Sequence, residues 1–213
     1  MGQYLFRSLG VAALAVLVSA CSSTAEKPQP SPLPTFTAQV QVNKVWSAKV
    51  GEVGTPLTVA VLGQRVAVAS STGDLALLDA QSGADVWRLN LKDRIQAGVG
   101  SDGQRFAVVT QNNELIAVEA GREIWRQKLQ AGTYTAPLVA GGRVFALTAD
   151  RTMLAFDGAS GQRLWAQQRN ADPLVVRQSG VLVAVGDTLL AGNGGRLSGI
   201  HPLTGQVRWD VTI

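Results

Sequence analysis

All five tryptophans of this 213-residue chain fall into one register: Trp46, Trp87, Trp125, Trp165 and Trp209. The last four each follow a glycine four positions earlier, Gly83, Gly121, Gly161 and Gly205, and these glycines stand 38, 40 and 44 residues apart. A unit of about forty residues with strand-like texture predicts a propeller blade, four short antiparallel strands that bury their faces only against neighbouring blades.

The third unit reads most clearly. Apolar residues at 136–140 lead to Gly141-Gly142, a strand at 143–148, a turn at 149–151, a strand at 152–157 and, after a glycine-containing loop, a strand at 162–165. The runs alternate or are β-branched, and the breaks carry Gly, Asp or Asn, which together predict a meander. The same pattern gives 65–70, 74–79 and 84–87 in the first unit and 105–110, 114–119 and 122–125 in the second. In the fourth it gives 188–191, 196–201 and 206–209. Helical periodicity is not sustained anywhere beyond the N-terminal stretch.

The glycine of each repeated pair is expected to supply the positive φ of the turn into the outermost strand. The tryptophan is expected to lay its ring between blades while its N–H finds a backbone acceptor. Asp79-x-x-x-Gly83-x-x-x-Trp87 and Asp157-x-x-x-Gly161-x-x-x-Trp165 resemble the tryptophan-docking motif of pyrroloquinoline-quinone-type (PQQ-like) propeller repeats. The second unit departs from it, Glu119 and Gly121 giving a shorter loop, and the fourth has His201 in place of the acid. Trp46, in Val42-Asn43-Lys44-Val45-Trp46, looks like the outermost strand of a further blade. The resemblance implies an all-β propeller of eight blades, of which this chain is expected to hold an N-terminal strand and about four, over residues 40–213.

Composition narrows the chemistry. Hydrophobic residues make up 46% and charged residues 16%, enough apolar material for a core and unlike a disordered chain. The net charge of +4 is spread over single basic residues, so nucleic acid is not an expected partner. One cysteine and one histidine exclude disulfide frameworks, thiol-rich metal sites and most triads. Neither a catalytic residue nor a metal or cofactor is expected. Gly98-Val99-Gly100-Ser101-Asp102-Gly103 fits a dinucleotide fingerprint, but residues 105–110 behind it read as a strand and not a helix, so a hairpin turn is the better reading. Gly192-Asn193-Gly194-Gly195-Arg196 likewise reads as a tight turn, and His201 as a hydrogen-bonding side chain without the partners a metal needs.

The N-terminus carries an address. Residues 1–20 have Arg7 and then an apolar stretch at 9–18, a secretory signal too short to span a bilayer comfortably. Val18-Ser19-Ala20-Cys21 resembles the lipobox of bacterial lipoproteins, which implies cleavage before Cys21 and its acylation; several acyl chains give a stable anchor. Ser22 resembles the residue of lipoproteins sent to the outer membrane, implying a domain that faces the periplasm. Pro28, Pro30, Pro32 and Pro34 make residues 21–39 an extended tether.

Lipobox, tether and blades together resemble the BamB family, the propeller lipoproteins of the machine that inserts β-barrel proteins into the outer membrane. Leu174-Val175-Val176-Arg177 resembles the Leu-x-Leu-Arg loop by which that family binds the periplasmic domains of the barrel subunit BamA. On that resemblance Leu174 and Val176 are apolar anchors and Arg177 is the polar contact, Val176 standing where the family has leucine. Nascent outer-membrane proteins, guided along blade edges by strand addition, are a second implied partner. A fragment of a PQQ-dependent dehydrogenase or sensor is the alternative; the single Cys21 rules out the disulfide of adjacent cysteines that such enzymes hold over the quinone. A structural envelope lipoprotein is a third reading, which would bind the sacculus without BamA.

Overall fold

The computed structural model describes residues 30–32, 42–54, 57–168 and 180–212. Residues 30–32 are exposed and without regular structure. All remaining description concerns the unit Asn43–Ile213.

Among the described residues sixteen strands form four antiparallel sheets in strict chain order. Blade 1 is β1 (Ala60–Leu62), β2 (Arg65–Ala69), β3 (Asp74–Asp79) and β4 (Asp85–Asn90). Blade 2 is β5 (Ile95–Ser101), β6 (Arg105–Thr110), β7 (Glu114–Glu119) and β8 (Arg122–Lys128). Blade 3 is β9 (Leu138–Ala140), β10 (Arg143–Leu147), β11 (Thr152–Asp157) and β12 (Arg163–Gln168). Blade 4 is β13 (Val181–Val185), β14 (Thr188–Asn193), β15 (Arg196–Ile200) and β16 (Val207–Thr212). The first strands are neighbours from blade to blade, β5 against β9 and β9 against β13. The protein is an all-β propeller, and no helix occurs among the described residues.

The strands read as apolar runs because a blade is covered on both faces. On β6 and β7, Phe106, Val108, Ile116 and Val118 pack against Ala67, Ala69, Leu75 and Leu77 of blade 1. The intervening Ala107, Val109, Leu115 and Ala117 face Val144, Ala146, Leu154 and Phe156 of blade 3. A third core joins Phe145, Leu147, Met153 and Ala155 to Leu182, Leu189, Ala191 and Ile200 of blade 4. Period-two alternation thus sorts side chains between two neighbours instead of between core and water. Among the described residues the outer faces of the end blades stay open, with Val61 on blade 1 and Val181, Val183 and Val185 on blade 4 exposed.

Each outermost strand bears a bulge beside its tryptophan. Trp87 pairs with Leu77 and Asp85 with Leu78, so Val86 has no ladder position; Ile124, Leu164 and Arg208 occupy the same place in the other blades. The extra residue bends and twists the outer strand.

Two sequence expectations differ from the structure. Residues 42–46, expected as a strand, form none, because they have no ladder partner among the described residues. The outer strands run past the tryptophans at which their patterns stop, because their last residues are polar side chains on the blade rim, such as Gln167 and Gln168.

Candidate functional site: the loop face and the docking loops

Trp46 and the tryptophans of blades 1 to 3 dock forward, each on the glycine loop of the blade that follows. Trp46 covers Gly83, Trp87 covers Gly121, Trp125 covers Gly161 and Trp165 covers Gly205. These glycines have φ between 72° and 74°. Their lack of a Cβ matters as well as their φ, since one built on Gly161 would lie 2.7 Å from Cδ2 of Trp125. Trp46 Nε1 donates to the Ala80 carbonyl at 2.9 Å, Trp125 Nε1 to Gly158 at 2.9 Å and Trp165 Nε1 to Pro202 at 3.0 Å. Trp46 thus has a docking role although it stands on no strand. Trp87 is different. The loop below it has been cut to Ala120 and Gly121, both at positive φ, and its ring instead meets Phe106 edge-on at 4.9 Å.

The loops that receive the rings are closed by their first residue. Asp79 Oδ1 accepts from the Gln81 and Ser82 amides and the Ser82 hydroxyl, and Asp157 Oδ1 from the Ala159 and Ser160 amides and the Ser160 hydroxyl. His201 does this work through Nδ1, which accepts from the Leu203 amide at 3.2 Å. The Ser82 hydroxyl and amide hold the Asp79 carboxyl below its ordinary value, and the Ser160 amide and hydroxyl hold down Asp157. A carboxyl with a lowered folded pKa contributes stability above its unfolded value and loses it as pH falls through the folded one. A variant with Asp79→Ala and Asp157→Ala is therefore expected to be less stable near neutrality and to decline less steeply on acidification. Denaturant unfolding over a pH series checks both.

At the opposite ends of the strands, inter-blade connections and second-to-third-strand turns form a second face. Leu91 N donates to Gly73, Gln111 N to Arg94, Leu129 N to Asn113 and Ala149 N to Gly132, tying each connection to a turn. On this face Arg126 reaches Asp93 at 2.6 Å, Glu114 at 2.8 Å and Glu123 at 3.0 Å, and the three carboxylates, Glu123 foremost, hold its guanidinium firmly charged. On blade 4's inner hairpin, Arg208 donates to Asp187 at 2.9 Å and lowers its carboxyl to about 2.

Leu174, Val176 and Arg177, like Cys21, lie outside the described residues. The described residues that flank the first three are Gln168, the end of β12, and Gly180, whose amide donates to the buried Thr135 hydroxyl at 2.8 Å. The two glycine motifs lie in strands and turns: Gly98 and Gly100 are on β5, and Gly194 and Gly195 turn β14 into β15 at positive φ. Gly100 is required by packing, since a Cβ there would lie 1.7 Å from the Pro137 carbonyl oxygen.

A family profile described as outer membrane protein assembly factor BamB matches residues 71–213. An outer membrane protein assembly factor BamB of Burkholderia pseudomallei is 34% identical over 207 residues, covering 94% of this chain and 54% of the relative. The crystal structure of BamB from Moraxella catarrhalis superposes with a TM-score of 0.67 at 26% identity, over 74% of this chain and 49% of that one. A quinohemoprotein alcohol dehydrogenase of Comamonas testosteroni shares the fold, with a TM-score of 0.59 at 18% identity over 76% of this chain and 35% of its own. The chain spans about half the length of the curated relatives it matches. By the match over residues 71–213, the chain belongs to the BamB family of outer membrane protein assembly factors.

Proposed function

We propose that this chain is part of a non-catalytic scaffold lipoprotein that serves the assembly of β-barrel proteins into the outer membrane. After removal of residues 1–20, acylated Cys21 anchors it, residues 21–39 act as a tether, and the propeller from residue 40 faces the periplasm. Leu174, Val176 and Arg177 dock it to the periplasmic domains of BamA. The observation that carries this reading is the family match over residues 71–213. Blade edges offer nascent barrel strands a place to pair, through main-chain hydrogen bonds. The likeness to the alcohol dehydrogenase is one of fold.

Arg177→Glu tests the docking loop. The variant is expected to lose co-purification with BamA while its β-type circular dichroism and thermal unfolding are unchanged, since reversing a contact charge leaves like charges facing each other. Undiminished co-purification would remove residues 174–177 from the interface.

A further inference from the structure

The repeat supplies its own control for one residue. Immediately before the third strand of every blade, the turn places a residue in the left-handed region: Gly73 (φ 103°), Asn113 (φ 58°), Arg151 (φ 62°) and Gly195 (φ 74°). Glycine and asparagine adopt that conformation readily; a long side chain with a Cβ does so at a cost. Three blades use the inexpensive residues, and blade 3 holds an arginine.

That arginine lines a cleft of about 380 Å³ between blades 3 and 4. Buried Leu147, Met153 and Ile200 give the cleft an apolar floor. The Arg151 side chain makes no hydrogen bond or ion pair with a described residue, and its Nε is shielded from water without a partner. Asn193 Oδ1, in the same cleft, is also shielded and unpartnered. The other charges there satisfy each other, Arg196 reaching Asp210 at 2.8 Å. Asp150, next in sequence, accepts from the Thr148 hydroxyl and the Thr152 amide and lines the cleft between blades 2 and 3 instead. Arg126, on the same loop face in blade 2, has Asp93, Glu114 and Glu123 around it. The chain thus neutralises Arg126 with its own carboxylates and leaves Arg151 without one among the described residues.

We propose that the cleft between blades 3 and 4 binds an extended peptide segment of a partner protein, bearing a carboxylate side chain beside an apolar one. The carboxylate accepts from the Arg151 guanidinium, whose planar fork suits two parallel hydrogen bonds. A backbone N–H of the segment donates to Asn193 Oδ1, and the apolar side chain rests on Leu147, Met153 and Ile200. The volume lies in the range of ligand pockets and accommodates a short stretch of side chains. The backbone contact and the apolar floor set a peptide apart from a small free carboxylate, which shares only the charge contact.

Fluorescence anisotropy with the full chain tests this, using fluorescein-Gly-Ser-Asp-Leu-Asp-Val-Ser-amide and its counterpart with Asn for both Asp. The acidic peptide is expected to bind at least tenfold tighter than the amide one. Arg151→Gly and Arg151→Asn are each expected to weaken it at least tenfold with an unchanged or higher Tm, because both restore a residue at ease with positive φ. Sodium acetate at the same carboxylate concentration is expected not to displace it. Equal binding of the two peptides, equal binding by wild type and Arg151→Gly, displacement by acetate, or no binding at all would each overturn the proposal.

Discussion

Replacing Trp125 by alanine is expected to destabilise the propeller by about 3–5 kcal/mol, the usual cost of deleting a buried aromatic ring. Its indole is 8% exposed, donates to Gly158 at 2.9 Å and lies 6.1 Å from the Phe156 ring, so its loss opens the boundary between blades 2 and 3 at several points. For a domain of this size each kcal/mol lowers Tm by about 2–4 °C. Trp209 is the internal comparison. It is 41% exposed and covers no loop of a following blade among the described residues. Trp209→Ala in this chain is expected to cost on the order of 1 kcal/mol, as at other partly exposed positions. Denaturant unfolding of the two variants separates them, and equal losses would refute a role for forward docking in stability.

Gly161→Ala should cost about 2–4 kcal/mol. Roughly 1–2 kcal/mol comes from holding a Cβ-bearing residue in the left-handed region. The rest comes from the ring above it, with Trp125 Cδ2 and Cγ 2.7 and 2.8 Å from where the new Cβ would stand. Gly63, at φ 60° with nothing within 4 Å of its Cβ position, isolates the first contribution. Gly63→Ala should therefore cost only the conformational part. The second contribution should vanish when the ring is absent, so Gly161→Ala made in a Trp125→Ala background should cost about as much as Gly63→Ala. A double-mutant cycle reads this as a coupling of about 0.5–3 kcal/mol. Additive losses would mean that glycine is needed at 161 for its φ alone.

These two positions mark how far the sequence could be read. The spacing of Gly83, Gly121, Gly161 and Gly205 with their tryptophans revealed the blade, and β3, β7 and β11 run as the alternation and turn residues predict. The destination of the rings was not legible, because a four-residue spacing says only that glycine and tryptophan are near in sequence. Trp125 in fact pairs with Gly161, not with Gly121. Most innermost strands were missed as well: β1 has three residues, and β5 holds two glycines whose reason is the neighbouring backbone. The bulges at Val86, Ile124, Leu164 and Arg208 leave no compositional trace, since the ladder and not the side chain defines them. Arg151 could have been found by aligning the units, where it stands in a column of Gly, Asn and Gly. Its lack of a counter-charge among the described residues needed coordinates.

Forward docking also gives the propeller a direction in time. Each ring precedes the carbonyl that receives its N–H by 34, 33 or 37 residues. During synthesis an indole therefore emerges before its seat, and each new blade arrives at a neighbour whose ring is already made. Array proteins with nearest-neighbour coupling can grow from any nucleus. Here every ring lies N-terminal to its seat, so the joints can close in the order in which the polypeptide appears, each sheet adding to the one made before it.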